Sequence, residues 1–326
     1  MARTGGGSVT DRLVQDPDAV AALAARVADR IGLPAEQIEK DFWVTEVLRG
    51  VTRAAGELGV DVVFKGGTSL SKAYHLIERF SEDVDVLVIL PAEGTGTKER
   101  ILKNLVAGAT DATTVQPESV GTATTKGVKR GARFHYRPTA LALATGMSNG
   151  VFLEIGSRGG AMPTSTMAIR SVLAEHAAAE VAGTTEAEPF DVRVLRPSRT
   201  LVEKLVLLHT ASCDPSPATL VRGARHYYYD VHQLLGRPDV LDEVREVGIG
   251  ILARDVIPYS TAAALAAEPR PSGGFSTSPA FSDGPHLNDA RADYVTRVLG
   301  TLLWPDAHRP TFDACLESVQ TAAAVV

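Results

Sequence analysis

The stretch "FKGGTSLSKAYHLIERFSEDVDVLVIL", residues 64–90, constrains this chain more than any other. "VDVVFK" at its start and "VDVLVIL" at its end read as buried strands, being short apolar runs rich in β-branched residues. Between them, "SLSKAYHLIERF" reads as a helix. Glycines at a strand-to-helix junction let the backbone approach a ligand closely and take torsions that other residues resist. The helix N-terminus behind them offers N–H groups to a phosphate. Thr68, Ser69 and Ser71 add hydroxyl donors. The spacing matches neither G-x-x-x-x-G-K-[ST] nor G-x-G-x-x-G. Taken alone, "GGTS" is accounted for by a plain strand-to-helix turn.

Asp83 and Asp85 sit at i and i+2 on the second strand. Strand alternation points both side chains to one face, about 6.5–7 Å apart along the chain. Two carboxylates so placed can share divalent ions with a triphosphate between them. A cation there also removes the desolvation cost of acids beside a buried strand. The alternative for an isolated D-x-D is a pair of exposed acids at a strand end. The order strand, Gly-Gly, helix, D-x-D is far more specific than either half.

Of the 326 residues, 44% are hydrophobic, enough for a real core of one large domain or two ordinary ones. No apolar run nears the roughly 20 residues that span a bilayer, and "MARTGGGSVTDRL" lacks the apolar region of a signal peptide. Cys213 and Cys315 make neither a disulfide framework nor a zinc spacing. The expected location is therefore the cytoplasm. A net charge of −6 and a pI near 5.8 exclude a protein that coats nucleic acid by bulk electrostatics. Local contact stays open through "TTKGVKRGARFHYRP", where Lys126, Lys129, Arg130, Arg133 and Arg137 cluster, although a solvated loop and strand edge is the ordinary account of such a run.

The predicted organisation is a flexible tail over 1–14, N-terminal helices and an α/β core over 15–197, and a helical C-terminal domain over 198–326. Helices are expected over 16–32, ended by Gly32 and Pro34, and from Pro34 to Gly59. Further strand signals are "ARFHYRP", "GVFLEIGSR" and "FDVRVLR". Helical patterns follow in "RTLVEKLVLLHTA", "RHYYYDVHQLLG", "PDVLDEVREVG" and over 289–303. The Pro/Gly/Ser-rich "EPRPSGGFSTSPAFSDGP" is expected to cover or border a cleft.

Other candidate site residues come from helical and strand faces. In "TLVEKLVLLH", Thr200 and Glu203 suit a capping box, and Lys204 falls on the apolar stripe with Leu201 and Leu208. A lysine there either snorkels to water or meets an anion; beside a D-x-D clamp it suits a triphosphate. Asp230, in "RHYYYDVHQLL", lies a turn from Tyr227 and Leu234, where a capping or salt-bridging acid is the ordinary account. Glu154 alternates against Val151, Leu153 and Ile155. Sequence spacing leaves open whether it shares the aspartates' face, where it could accept a hydroxyl proton. Lys65 and Ser81 flank the turn and the D-x-D. For Lys40, Asp41 and Trp43 the preferred reading is a structural ion pair with an aromatic staple. The histidines show no H-E-x-x-H and no nearby nucleophile, so a hydrolase triad has no support.

These residues resemble the nucleotidyltransferase superfamily that includes DNA polymerase β, marked by Gly-Gly or Gly-Ser, a helix, then D-x-D. The 15 residues between Gly67 and Asp83 make a longer spacer than in many members. "FKGGTSLSKAYHLIERFSEDVDVLVI", "EKDFWVTEVL", "RTLVEKLVLLH" and "RHYYYDVHQLL" more closely resemble one branch, the AbiEii-like (MenT-like) toxins of type IV toxin–antitoxin systems. The resemblance implies a polymerase-β-like α/β core with a mixed sheet, N-terminal helices and a helical C-terminal part. It implies transfer of a nucleoside monophosphate from an NTP to an RNA hydroxyl, the tRNA 3′ end foremost, which blocks aminoacylation. It implies Mg²⁺ or Mn²⁺ on Asp83 and Asp85, and a nucleotide held by Lys65, Gly66, Gly67, Thr68, Ser69 and Ser81. Lys204 becomes the motif lysine, Asp230 the motif aspartate and Glu154 a third carboxylate. A separate winged-helix, AbiEi-like antitoxin is implied as partner. Two alternatives stand beside this: transfer to a protein or aminoglycoside-like hydroxyl, and a non-catalytic nucleotide-binding module.

Overall fold

A computed structural model describes residues 12–81, 83–92, 94–136, 150–157, 159–214, 226–253, 256 and 268–326. The expected tail over 1–14 lies outside the described residues as far as residue 11. Its last residues are anchored instead: Val14 is buried, and the Leu13 and Val14 N–H groups donate to the Glu186 carboxylate at 3.1 and 3.3 Å. Two helices follow as expected. α1 (Pro17–Ile31) has proline at its first turn and Asp16 as N-cap, accepting from the Ala19 N–H at 3.0 Å. α2 (Ala35–Leu58) ends on Gly59 in the left-handed region, φ 64°.

The sheet is built from β1 (Val62–Lys65), β2 (Asp83–Val88), β3 (Pro117–Thr125), β4 (Lys129–Phe134), β5 (Val151–Gly156), β6 (Thr164–Ile169) and β7 (Phe190–Leu195). Their order across the sheet is β3-β4-β5-β2-β1-β7-β6. β2 and β5 are parallel, as are β1 and β7, while the other neighbours are antiparallel, so the sheet is mixed. Val84, Val86, Leu153 and Ile155 project from one face into a core shared with α1, α2 and α4 (Thr95–Thr113). The opposite face of the same strands carries the polar candidates.

A second apolar cluster joins α6 (Pro197–Cys213), α7 (Tyr227–Leu235), α8 (Pro238–Val247) and α10 (Phe312–Thr321). The Pro/Gly/Ser-rich segment belongs to this core rather than to a cleft edge. It buries Phe275 and Phe281, and the Tyr228 hydroxyl donates to the Ala280 carbonyl at 2.9 Å. The helix expected over 289–303 divides into α9 (Asn288–Asp293) and a π-helical stretch, Tyr294–Leu302.

The largest departure falls inside the opening stretch. α3 covers only Gly66–Lys72, not the whole spacer. The chain leaves the helix because residues 78–80 find long-range backbone partners: Phe80 N–H donates to Leu302 O at 2.9 Å, and Trp304 N–H to Glu78 O at 3.0 Å. Tertiary hydrogen bonding here overrides local helical periodicity.

α2 and α4 cross where Gly50 faces Gly108. A Cβ on Gly50 would meet Ala109 Cα and Ala112 Cβ at 2.7 Å, and one on Gly108 would meet the Gly50 carbonyl oxygen at 2.7 Å. Gly→Ala in an exposed helix stabilises by roughly 0.5–1 kcal/mol. Gly50→Ala is expected to reverse that sign and cost about 1–3 kcal/mol by overpacking, read as a lower urea midpoint at unchanged slope.

Candidate active site

Strand register assembles the site. Lys65 on β1 pairs with Asp85 on β2, which pairs with Glu154 on β5. Side chains opposite one another in a sheet share a face, so Lys65, Asp85 and Glu154 form one row across three strands. Asp83 lies one strand period along on the same face, opposite Phe152. Glu154 therefore joins the aspartates, the point that sequence spacing left open. β4 extends the row: Gly131 pairs with Glu154, which puts Lys129 and Arg133 on the same face and Arg130 on the other. Lys129 lies 3.6 Å from Glu154, and the Arg133 guanidinium stacks on the Phe152 ring at 5.1 Å. Arg130 pairs with Glu99 of α4. Lys126 is exposed in the turn between β3 and β4; Arg137 lies outside the described residues.

The glycines are dictated by close approach. Gly66 has φ 80°, and a Cβ there would collide with the Asp85 carboxylate, with Cγ at 3.2 Å. A Cβ on Gly67 would collide with the Arg79 guanidinium and come within 3.1 Å of Ser81 Oγ. The hydroxyls hold the turn together. Thr68 Oγ1 lies 2.8 Å from Ser81 Oγ and donates to the Asp83 carbonyl. Ser69 donates to the Gly66 carbonyl at 2.9 Å and is fully buried, and Ser71 donates to the Thr68 carbonyl at 3.2 Å. Ser81 thus ties the turn to the entry of the D-x-D strand.

Lys204 and Asp230 come together from α6 and α7, with Nζ 2.8 Å from Oδ2. The fully buried Asp230 carboxylate also accepts a forked pair from Arg79, Nε at 2.6 Å and Nη2 at 2.7 Å. Burial opposes its ionisation, but Arg79 and Lys204 outweigh burial and hold the pKa well below the usual carboxylate range. Burial lowers the Lys204 pKa, with Asp230 opposing and Arg79 repulsion adding. The Lys204 ammonium also sits 4.4 Å over the Tyr227 ring. Tyr227 is half-buried and feels the charges of Asp85 and Asp230.

Arg79 is the residue that sequence reading missed. Its signal was an arginine four positions before the D-x-D in a spacer that reads as amphipathic helix. The expected capping box is not formed either. Proline at the first turn starts α6 at Pro197, so Thr200 lies inside the helix and its hydroxyl donates to the Arg196 carbonyl at 3.5 Å. Glu203 instead reaches Lys65 at 3.6 Å and Arg199 at 3.3 Å. Glu203 is the largest influence raising the Lys65 pKa.

The Asp85 pKa is raised from 3.8 to about 6 by burial, with Lys65 opposing and the neighbouring Asp83 and Glu154 adding to the rise. Asp41 and Trp43 are structural. Asp41 takes Lys72 Nζ at 2.6 Å and the Val172 N–H at 2.7 Å, bracing α3 against α2 and α5 (Val172–His176). Trp43 stacks on Tyr136 with centroids 5.2 Å apart. Lys40 is buried with its ammonium 5.9 Å over the Phe80 ring. Among the described residues, no group of three or more His, Cys, Asp or Glu side chains is arranged to hold a metal by itself. No helix among them is long and apolar enough to cross a membrane.

No curated protein matches the chain significantly. Among solved structures, the nucleotidyltransferase toxin MenT4 of Mycobacterium tuberculosis H37Rv is similar, at 17% identity over 91% of this chain and 98% of that one, with a TM-score of 0.37. The model of the AbiEii nucleotidyltransferase toxin, of type IV toxin–antitoxin systems, matches residues 49–318. That span takes in the Gly-Gly turn, the carboxylate row and the Lys204–Asp230 pair, and the chain belongs to the AbiEii family of nucleotidyltransferase toxins.

Proposed function

We propose that this nucleotidyltransferase moves a nucleoside monophosphate from an NTP to an RNA hydroxyl, the 3′ end of tRNA foremost. The observation that carries the reading is the row Lys65–Asp85–Glu154, with Asp83 beside it, set directly against the Gly66–Gly67 turn. Lys129 and Arg133 continue the same face and suit an RNA backbone better than a neutral acceptor. A separate winged-helix antitoxin would be the partner of such a toxin.

Asp83 and Asp85 are hard oxygen donors of the kind that fits a divalent cation, and they would hold Mg²⁺ or Mn²⁺ together with the NTP. The raised Asp85 pKa supports this, because a cation there offsets the burial of the carboxylate first and the neighbouring Asp83 and Glu154 charges second. When bound, such an ion neutralises phosphate charge and acidifies the attacking hydroxyl. The protein's own groups do the rest. The Gly66–Gly67 backbone, Lys65 and Lys204 hold the triphosphate. Glu154 accepts the proton as the hydroxyl oxygen bonds to the α-phosphorus. The α–β phosphoanhydride bond breaks, and pyrophosphate leaves against Lys204. Asp230 orients Lys204 and takes no proton, because it is held fully ionised.

Incubating the protein with Mg²⁺, each labelled NTP and total tRNA tests the reading. Label is expected on tRNA; label on protein or an aminoglycoside instead would replace the acceptor class, and no transfer with NTP binding retained would leave a binding module. Asp83→Ala should lower transfer by roughly 10³-fold, several kcal/mol of transition-state stabilisation. Glu154→Gln should lower kcat by roughly 10²–10⁴-fold at unchanged NTP affinity.

A stability measurement checks Asp85. Its folded pKa exceeds the unfolded one, so the protonated group contributes stability that is present below pH 3.8 and lost as pH rises through about 6. Asp85→Asn should therefore raise Tm near neutral pH without cation and lose that advantage in acid. Added Mg²⁺ should raise the wild-type Tm more than the variant's.

A further inference from the structure

In the Arg79–Asp230–Lys204 cluster, Arg79 is the charge to which the transfer reaction above gives no role. Its side chains are almost completely buried: Arg79 2%, Asp230 0% and Lys204 4% exposed. They come from the segment before the D-x-D, from α7 and from α6. Two cations share one carboxylate. Arg79 takes both Asp230 oxygens, at 2.6 and 2.7 Å, and Lys204 takes Oδ2 at 2.8 Å. The guanidinium is fixed further by donating to the Phe80 carbonyl at 3.0 Å. It also packs where a Cβ on Gly67 would be, directly beneath the phosphate turn.

Charge counting gives this arrangement a consequence. With Arg79 present, the cluster carries a net charge of +1 beside the turn. Without it, Asp230 and Lys204 would neutralise each other. Lys65 keeps its own balance, because Glu203 at 3.6 Å is shared with Arg199 at 3.3 Å. The face would then present Asp83, Asp85 and Glu154 to an anionic substrate with one cation fewer. A buried lysine fully paired to one carboxylate offers an incoming phosphate much less than one whose counter-ion is already satisfied elsewhere. A forked guanidinium satisfies both carboxylate oxygens at once, which an ammonium cannot do.

We propose that Arg79 is a positioning residue that cancels the Asp230 charge and thereby leaves Lys204 as a net cation for the triphosphate of the NTP. The inference rests on the nucleotide-site reading above. It gives Arg79 no contact with substrate, and it assigns the affinity of the site to a charge balance rather than to one more ligand.

The test is a charge-rescue cycle read by calorimetric binding of pyrophosphate, and of a non-hydrolysable NTP, in the presence of Mg²⁺. Arg79→Met should weaken binding by at least about tenfold. Arg79→Met with Asp230→Asn removes one charge of each sign, restores the net +1 and should return binding to within about threefold of wild type. Adding Lys204→Met to that double variant should abolish the recovery. Asp230→Asn alone raises the net charge to +2 and should tighten binding; no tightening there, or a double variant no better than Arg79→Met, overturns the inference. Should Arg79→Met alone fail to fold, the double variant still decides. Its pyrophosphate affinity is either near wild type, as expected, or lost, which overturns the proposal. If the wild type binds neither ligand, the nucleotide-site reading itself fails and this inference fails with it. Wild-type binding with Arg79→Met unchanged overturns this inference alone.

Discussion

A single buried carboxylate joins the separate segments that build this site. Asp230 is reached by Arg79 and Lys204, so it ties the approach to the D-x-D strand to two helices of the C-terminal core. An ionised carboxylate with no exposed surface is sustainable only with charged, hydrogen-bonded partners. Removing Arg79 would leave Asp230 to Lys204 alone and take from Oδ1 its guanidinium donor. The segment 78–80 meets the same demand through its backbone, pairing with residues 302–304 instead of continuing α3. The short helix and the displaced spacer are thus consequences of where the charges must meet.

The sheet contributes a different constraint, that of register. Because side chains alternate strictly, the pairing of β2 with β5 decides at once which acids face α6 and α7 and which residues face α2 and α4. Val84, Val86, Leu153 and Ile155 are held in an apolar core, so slippage by one residue would bury carboxylates there. The core therefore fixes the row Lys65–Asp85–Glu154 more firmly than attraction among its own charges could. Burial raises the Asp85 pKa, and repulsion from Asp83 and Glu154 adds to the rise.

How much was legible depended on sequence distance. Asp83 and Asp85 are two residues apart on one strand, and strand alternation alone placed them together. The turn was legible from adjacent glycines, although the reason both are needed, contact with Asp85 and Arg79, was not. Lys204 stood out as a charge on an apolar stripe. Other local patterns misled. Thr200 and Glu203 have capping-box spacing, yet Pro197 starts the helix earlier and frees Glu203 to reach Lys65. The Pro/Gly/Ser-rich segment read as the cover or border of a cleft, but its two phenylalanines fill a core. The polar edge strands β3 and β6 have no apolar run to announce them.

The amino-acid sequence by itself determined the elements that carry chemistry, namely the strand, the Gly-Gly turn and the paired aspartates, because these depend on neighbours within a few residues. Only the tertiary structure decided that Glu154 shares the aspartates' face, and that Arg79, 151 residues from Asp230, satisfies it. The physical reason is that β-register and buried ion pairing are set by packing between distant segments, where a side chain's partner is chosen by burial and charge rather than by its place in the chain.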